Sequence, residues 1–217
     1  MSSPIHENQP VLAQGTALKD AKLVMILLHG RGSSAEAMVP LAHELHSKEV
    51  HTLIPQAALN RWYPNSAFGP LEGNEPDLSS ALNRIDQLVQ ELRNKGIPYE
   101  QIAFGGFSQG ACLASEYVAR NAHKYGGLFV FSGALIGPPG TTRDYPGSFD
   151  GMPVFIGGSD IDPWVAHDLM AETAAVFENM GATVDFRTYP GMAHTVNQDE
   201  LTAVREMLSA AVQPNTR

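Results

Sequence analysis

Gln101-Ile-Ala-Phe-Gly-Gly-Phe-Ser-Gln-Gly-Ala-Cys-Leu-Ala-Ser115 is the stretch that decides how the rest of the chain is read. A short apolar run leads in from Ile102 to Gly105, and a small-residue helical pattern leads out. Ser108 therefore falls on a tight turn from strand to helix, at the centre of Gly106-Phe107-Ser108-Gln109-Gly110, where a serine oxygen can stand clear of a sheet. Such a turn forces the serine into a strained backbone conformation, which closely packed surroundings must hold in place. Gly106 and Gly110 keep Cβ atoms out of the space where strand and helix nearly touch. Three fixed positions arise by chance about 0.1 times in a chain of this size. A plain glycine turn would have the same residues, so the reading depends on partners elsewhere.

Outward from this stretch, apolar runs alternate with amphipathic ones. Strands are expected at Val11 to Leu18, Leu23 to Leu28, His51 to Ile54, Ile102 to Gly105, Leu128 to Phe131, Val154 to Ile156 and Val184 to Tyr189. Helices are expected after Ser33 or Ser34, with Ala37, Met38, Leu41 and Leu45 as the apolar stripe, and from Asp77 or Ser79 through Leu82, Ile85, Leu88, Val89 and Leu92. Others run from Ser108 to about Asn121, up to about Met180, and from Gln198 to Ala211. This alternation predicts one α/β domain: a mostly parallel central sheet of about seven strands with helices on both faces. Residues 1 to 9 read as a loose leader.

In such a sheet the ligand site lies at the carboxyl ends of the strands. The loops there are His29 to Ser33, Pro55 to Glu75, Gly106 to Gln109, Ser132 to Gly151, Gly157 to Trp164 and Pro190 to Thr195. The 55 to 75 loop is long and carries Trp62, Tyr63 and Phe68, which points to a pocket wall rather than disorder. No role is read for the 133 to 152 loop.

These loops supply the partners of Ser108. A serine hydroxyl needs a base to remove its proton as it attacks, and His194 closes the last of these loops. The chain order serine, aspartate, histidine is that of an α/β-hydrolase. The acid, whose task is to orient the imidazole and stabilise the imidazolium, is Asp160 or Asp162 on the loop after Ile156. Backbone N–H groups of Arg31 and Gln109 are placed to receive the oxyanion, which leaves the Arg31 side chain without a required part. His43, His46, His51, His123 and His167 show no metal-binding spacing, and no metal or cofactor is expected.

Composition sets the outer limits. The 217 residues are 43% hydrophobic and 17% charged, ordinary for a globular domain, and the net charge of −9 disfavours nucleic acid and anionic membranes as partners. The single cysteine, Cys112, reads as a buried structural thiol. No export signal is visible and no apolar run could span a bilayer, so a cytoplasmic, soluble protein is expected, with no membrane insertion. A homodimer is compatible with the sequence.

Leu28-His-Gly-Arg-Gly32, Trp62-Tyr-Pro64, Gly105-Gly-Phe-Ser-Gln-Gly-Ala111, Asp160-Ile-Asp-Pro-Trp-Val165 and Tyr189-Pro-Gly-Met-Ala-His194 together resemble the phospholipase/carboxylesterase family of α/β-hydrolases. That family includes the acyl-protein thioesterases and small bacterial carboxylesterases, and the similarity covers nearly all of residues 21 to 211. The resemblance implies that the acid is Asp162, which directly precedes the Pro-x-Val segment, and that the oxyanion donors are the amides of Arg31 and Gln109. Ala166 and Ala193 depart from a proline and a glycine usual in the family. The Trp62-Tyr63-Pro64 loop is more like the bacterial esterase branch.

The expected function is hydrolysis of small or short-chain carboxylic esters by Ser108, His194 and Asp162. Trp62, Tyr63, Phe68 and Trp164 are expected to line an apolar pocket. An acyl thioesterase or lysophospholipase would use the same residues. A hydrolase fold serving only as a ligand-binding receptor is the alternative from another class.

Overall fold

A computed structural model describes residues 5 to 45 and 47 to 213. The described residues form one seven-stranded sheet. In chain order its strands are β1 (Val11–Gly15), β2 (Leu23–Leu28), β3 (Val50–Pro55), β4 (Ile102–Phe107), β5 (Gly127–Phe131), β6 (Pro153–Ser159) and β7 (Thr183–Tyr189). Their spatial order is β1-β3-β2-β4-β5-β6-β7, with β1 antiparallel to β3 and all other pairs parallel. The helices are α1 (Val39–Glu44), α2 (Asp77–Asn94), α3 (Gln109–Arg120), α4 (His167–Asn179) and α5 (Gln198–Ala211).

The strands of the sheet's centre read as unbroken apolar runs because both their faces are covered. Along β2, Val24, Ile26 and Leu28 pack with α2, α3 and α4, while Leu23, Met25 and Leu27 pack with α1 and α5. Every residue of β2 and β5 is buried. Burial on two sides makes the middle of the sheet a stiff base, from which the functional loops emerge at one edge. β7, an outer strand, has no fully buried residue.

Several expectations are corrected. β1 ends at Gly15, not Leu18, where the chain turns with φ +81°. The helix expected after Ser33 or Ser34 begins with a single 3-10 turn over Glu36–Met38 before α1. Of the leader expected at residues 1 to 9, residues 1 to 4 lie outside the described residues, and His6 is packed rather than loose: it is fully buried, its Nδ1 accepting from the Ala58 amide and its Nε2 donating to the Trp62 carbonyl. A histidine can join two distant backbone groups in this way, which hydrophobic periodicity does not reveal. His46 lies outside the described residues. His123 follows α3 in a loop and stacks on Tyr99 at 3.8 Å between ring centroids.

Candidate active site

Ser108 sits between β4 and α3 with φ +55° and ψ −121°, a conformation disfavoured for any residue with a Cβ. The strain persists because the turn is held on both sides. The Ser108 amide donates to the Phe131 carbonyl on β5, and its own carbonyl accepts from Cys112 one helical turn on. A Cβ on Gly106 would lie 2.5 Å from the Gly110 carbonyl carbon, and one on Gly110 would overlap the Leu28 carbonyl. Strand, turn and helix therefore meet at a distance that only glycine permits.

His194 arrives on the loop after β7, Asp162 on the loop after β6. The two side chains meet, with His194 Nδ1 donating to Asp162 Oδ2 at 2.6 Å. Asp162 has no exposed side-chain surface, and its Oδ1 accepts the amides of Trp164 and Val165 at 2.8 and 3.1 Å. Three donors on one carboxylate keep it aimed at the imidazole. With Nδ1 engaged, Nε2 is the histidine nitrogen left to act as a base. Asp160 does not reach His194: it is exposed, and its Oδ1 accepts the Gly191 amide, pinning the histidine loop instead. The Phe107 ring packs against the imidazole at 4.8 Å.

Ser108 and His194 line one cavity of about 610 Å³. Among the described residues their side chains are not hydrogen-bonded to each other, a contact that in hydrolases often tightens only around substrate. Gly30, Arg31 and Gln109 line the same cavity. The amides of Arg31 and Gln109 donate to no acceptor among the described residues, so both are available to an oxyanion.

Of the four residues expected to line the pocket, Tyr63, Phe68 and Trp164 do so. Trp62 does not: it is fully buried behind the cavity, and its indole N–H donates to the His29 carbonyl at 2.9 Å. A tryptophan in a glycine- and proline-rich loop reads equally as wall or as core, and here the hydrogen-bonding indole turned it inward. Cys112 also borders the cavity; burial pushes its thiol up to about 12, so it packs as a neutral group rather than acting as a nucleophile. The Arg31 side chain, given no part from sequence, donates to the carbonyls of Pro64 and Asn65 and so clamps the aromatic loop to the glycine loop.

Sequence reasoning also missed Gln109 as a side chain. Its Oε1 accepts the Trp62 amide at 2.9 Å and its Nε2 donates to the Tyr63 carbonyl at 2.8 Å. The signal was its position directly after the serine, where a long amide can span from the elbow to a neighbouring loop. Among the described residues no group of three His, Cys, Asp or Glu side chains is arranged to hold a metal ion, and no helix is long and apolar enough to cross a membrane.

Comparison with known proteins agrees with this fold. The solved structure of a phospholipase/carboxylesterase from Dyadobacter fermentans superposes with a TM-score of 0.88 at 40% identity, covering 93% of this chain and 97% of that one. Acyl-protein thioesterase 1 of Kluyveromyces lactis is 29% identical over 213 residues, 89% of this chain and 93% of its own length. A Bacillus cereus carboxylesterase shares the fold with a TM-score of 0.72 at 22% identity, covering 94% and 95% of the two chains. The model of the Phospholipase/Carboxylesterase family matches residues 15–212, and the chain therefore belongs to that family of α/β-hydrolases.

Proposed function

We propose that the protein is a serine carboxylesterase. The observation that carries this reading is the 2.6 Å bond from His194 to the buried Asp162, with His194 on the wall of the cavity that Ser108 also lines. In this reading Ser108 Oγ attacks the ester carbonyl while His194 Nε2 takes its proton. The carbonyl oxygen becomes an oxyanion received by the amides of Arg31 and Gln109, each such donor typically worth about 3 kcal/mol in the transition state. Collapse breaks the ester C–O bond, His194 returns the proton to the leaving alcohol, and Ser108 is left acylated. Water then attacks with His194 again as base, releasing the acid and restoring the serine. The Phe68 and Trp164 side chains and the buried Tyr63 ring offer the acyl or alcohol group an apolar wall. A cavity of this size open at the surface suits small or short-chain esters.

A thioesterase is the second reading, favoured by the similarity to the Kluyveromyces lactis acyl-protein thioesterase. The same steps serve it, with a thiol in place of the alcohol. A fluorophosphonate probe should label Ser108 in the native protein, and Ser108→Ala should lose both labelling and about 10⁶ of kcat. Native protein that resists the probe, or an alanine variant that still turns over p-nitrophenyl acetate, would remove the hydrolase reading. A matched series of oxygen and thiol esters, from acetyl to palmitoyl, decides between the two substrates.

A further inference from the structure

The carbonyl of Gly30 and the N–H of Arg31 are the two ends of one trans peptide unit, so whatever holds the carbonyl also aims the N–H. His29 holds it. The Ala57 amide donates to His29 Nε2 at 3.0 Å, which requires an unprotonated Nε2 and puts the ring proton on Nδ1. Nδ1–H then donates to the Gly30 carbonyl at 2.8 Å, joined there by the Ser33 amide at 3.2 Å. With its carbonyl held from two directions, the peptide cannot swivel, and the Arg31 N–H is directed to the opposite side. Polarisation through the peptide also strengthens that N–H as a donor.

The preceding peptide is held as well, by the Trp62 indole on the His29 carbonyl. The main chain of Trp62 and Tyr63 is in turn fastened to the side chain of Gln109, the residue whose backbone N–H is the second proposed oxyanion donor. One buried segment is thereby tied to both donor loops. His29 and Trp62 are fully buried, and neither borders the cavity. Burial holds the His29 imidazole below its ordinary pKa, in keeping with a ring that must stay neutral to accept from Ala57.

We infer that His29 and Trp62 are positioning residues that set the direction and spacing of the two oxyanion donors, acting through the Gly30–Arg31 peptide and the Gln109 side chain. This inference rests on Ser108 being the nucleophile. Trp62→Phe keeps the ring and removes only the indole donor. His29→Asn places an amide nitrogen near the position of Nδ1 and retains the bond to Gly30, whereas His29→Leu loses it.

The test combines steady-state kinetics on a short p-nitrophenyl ester with inhibition by a trifluoromethyl ketone, whose adduct with serine carries the oxyanion. Trp62→Phe should lower kcat about 10- to 100-fold, short of the 10² to 10³ typical of deleting a donor outright, and weaken the inhibitor by a similar factor. KM should stay within about twofold, because the donors act on the transition state. His29→Asn should recover about tenfold in kcat over His29→Leu. Nitrogen-15 spectra of the native protein should show His29 protonated at Nδ1. Thermal melts separate lost folding from lost positioning, since a variant that is merely less folded binds the inhibitor normally per active site. Unchanged kcat and inhibitor affinity in Trp62→Phe, or an Nε2–H tautomer at His29, overturns the inference while fluorophosphonate labelling of Ser108 leaves the hydrolase reading intact. Absence of that labelling overturns both.

Discussion

The two halves of the proposed site are built in different ways. The donor half, made of the glycine loop after β2, the Trp62–Tyr63 segment and the elbow, is held by side chains that are buried: His29, Trp62 and Gln109 each bond to backbone of another loop. The acid–base half, on the loops after β6 and β7, is half open. Asp162 is buried beneath it, yet Ile161 and Trp164 on either side are 66% and 71% exposed, and Asp160 and Gly191 meet at the surface. The difference follows from the chemistry. Fixed dipoles stabilise a transition state only if they need no rearrangement as charge develops. A histidine that takes a proton and later gives it up needs one firm anchor, with the other nitrogen free to face the changing partner.

The largest break in this comparison is expected at the anchor itself. Asp162→Asn should lower kcat about 10⁴-fold with little change in KM, because the amide favours the wrong imidazole tautomer. Asp160→Asn, which touches only the Gly191 amide, should stay within about tenfold. If the Asp160 variant is the dead one, the anchor has been misassigned; kcat measured on one ester for both variants decides. On the donor side, Gly110→Ala drives a methyl group into the Leu28 carbonyl, and denaturant unfolding should show a loss of about 3 kcal/mol with activity falling alongside. Retained stability would mean that the elbow is looser than its contacts require.

A smaller effect sharpens the comparison from beneath the histidine loop. Glu200, in the first turn of α5, is fully buried with Oε2 accepting the Asn197 amide at 2.8 Å, while Oε1 abuts Gly157 without a hydrogen-bond partner among the described residues. Burial raises this carboxyl to about 7 from an ordinary 4.5. Between those values the folded state keeps a proton that the unfolded state has released, so stability falls as pH rises through this window and levels off above about 7. Glu200→Gln should remove that slope and stabilise the protein by about 1 to 2 kcal/mol at pH 8, with little effect at pH 4. Denaturant melts at the two pH values test it, and equal slopes in native and variant proteins would refute it. The smallest effect is expected at the exposed rim. Trp164→Ala should leave stability within about 0.5 kcal/mol and alter KM for aromatic esters more than for acetyl ones. No change across such a series would show that this wall does not contact substrate.

Much of the acid–base half was legible in the sequence, because each of its residues sits where a strand must end. The apolar runs of β4 and β6 and the alternating pattern of β7 predict where the chain reaches the loop edge, and the order of serine, aspartate and histidine follows along the chain. Choosing between Asp160 and Asp162 was harder. Both stand within three residues on one loop, and their spacing alone does not tell which carboxylate turns inward. The donor half was legible only in part. The amides of Arg31 and Gln109 could be placed from the glycine pattern, but the side chains that hold them could not.

The sequence by itself determined the alternation of strands and helices, the sheet edge at which the candidate site lies, the serine turn and the place of the histidine proposed to serve it. These depend on local periodicity and on glycines at fixed offsets, and both are properties of neighbouring residues. Tertiary structure alone decided that Trp62 faces the core rather than the pocket, that His6 is packed rather than loose, and that the Arg31 guanidinium clamps Pro64 and Asn65. Each is a hydrogen bond between groups far apart along the chain. Which donor meets which acceptor is settled only when the sheet brings its loops together, since a buried polar group must find its partner among whatever the fold places beside it.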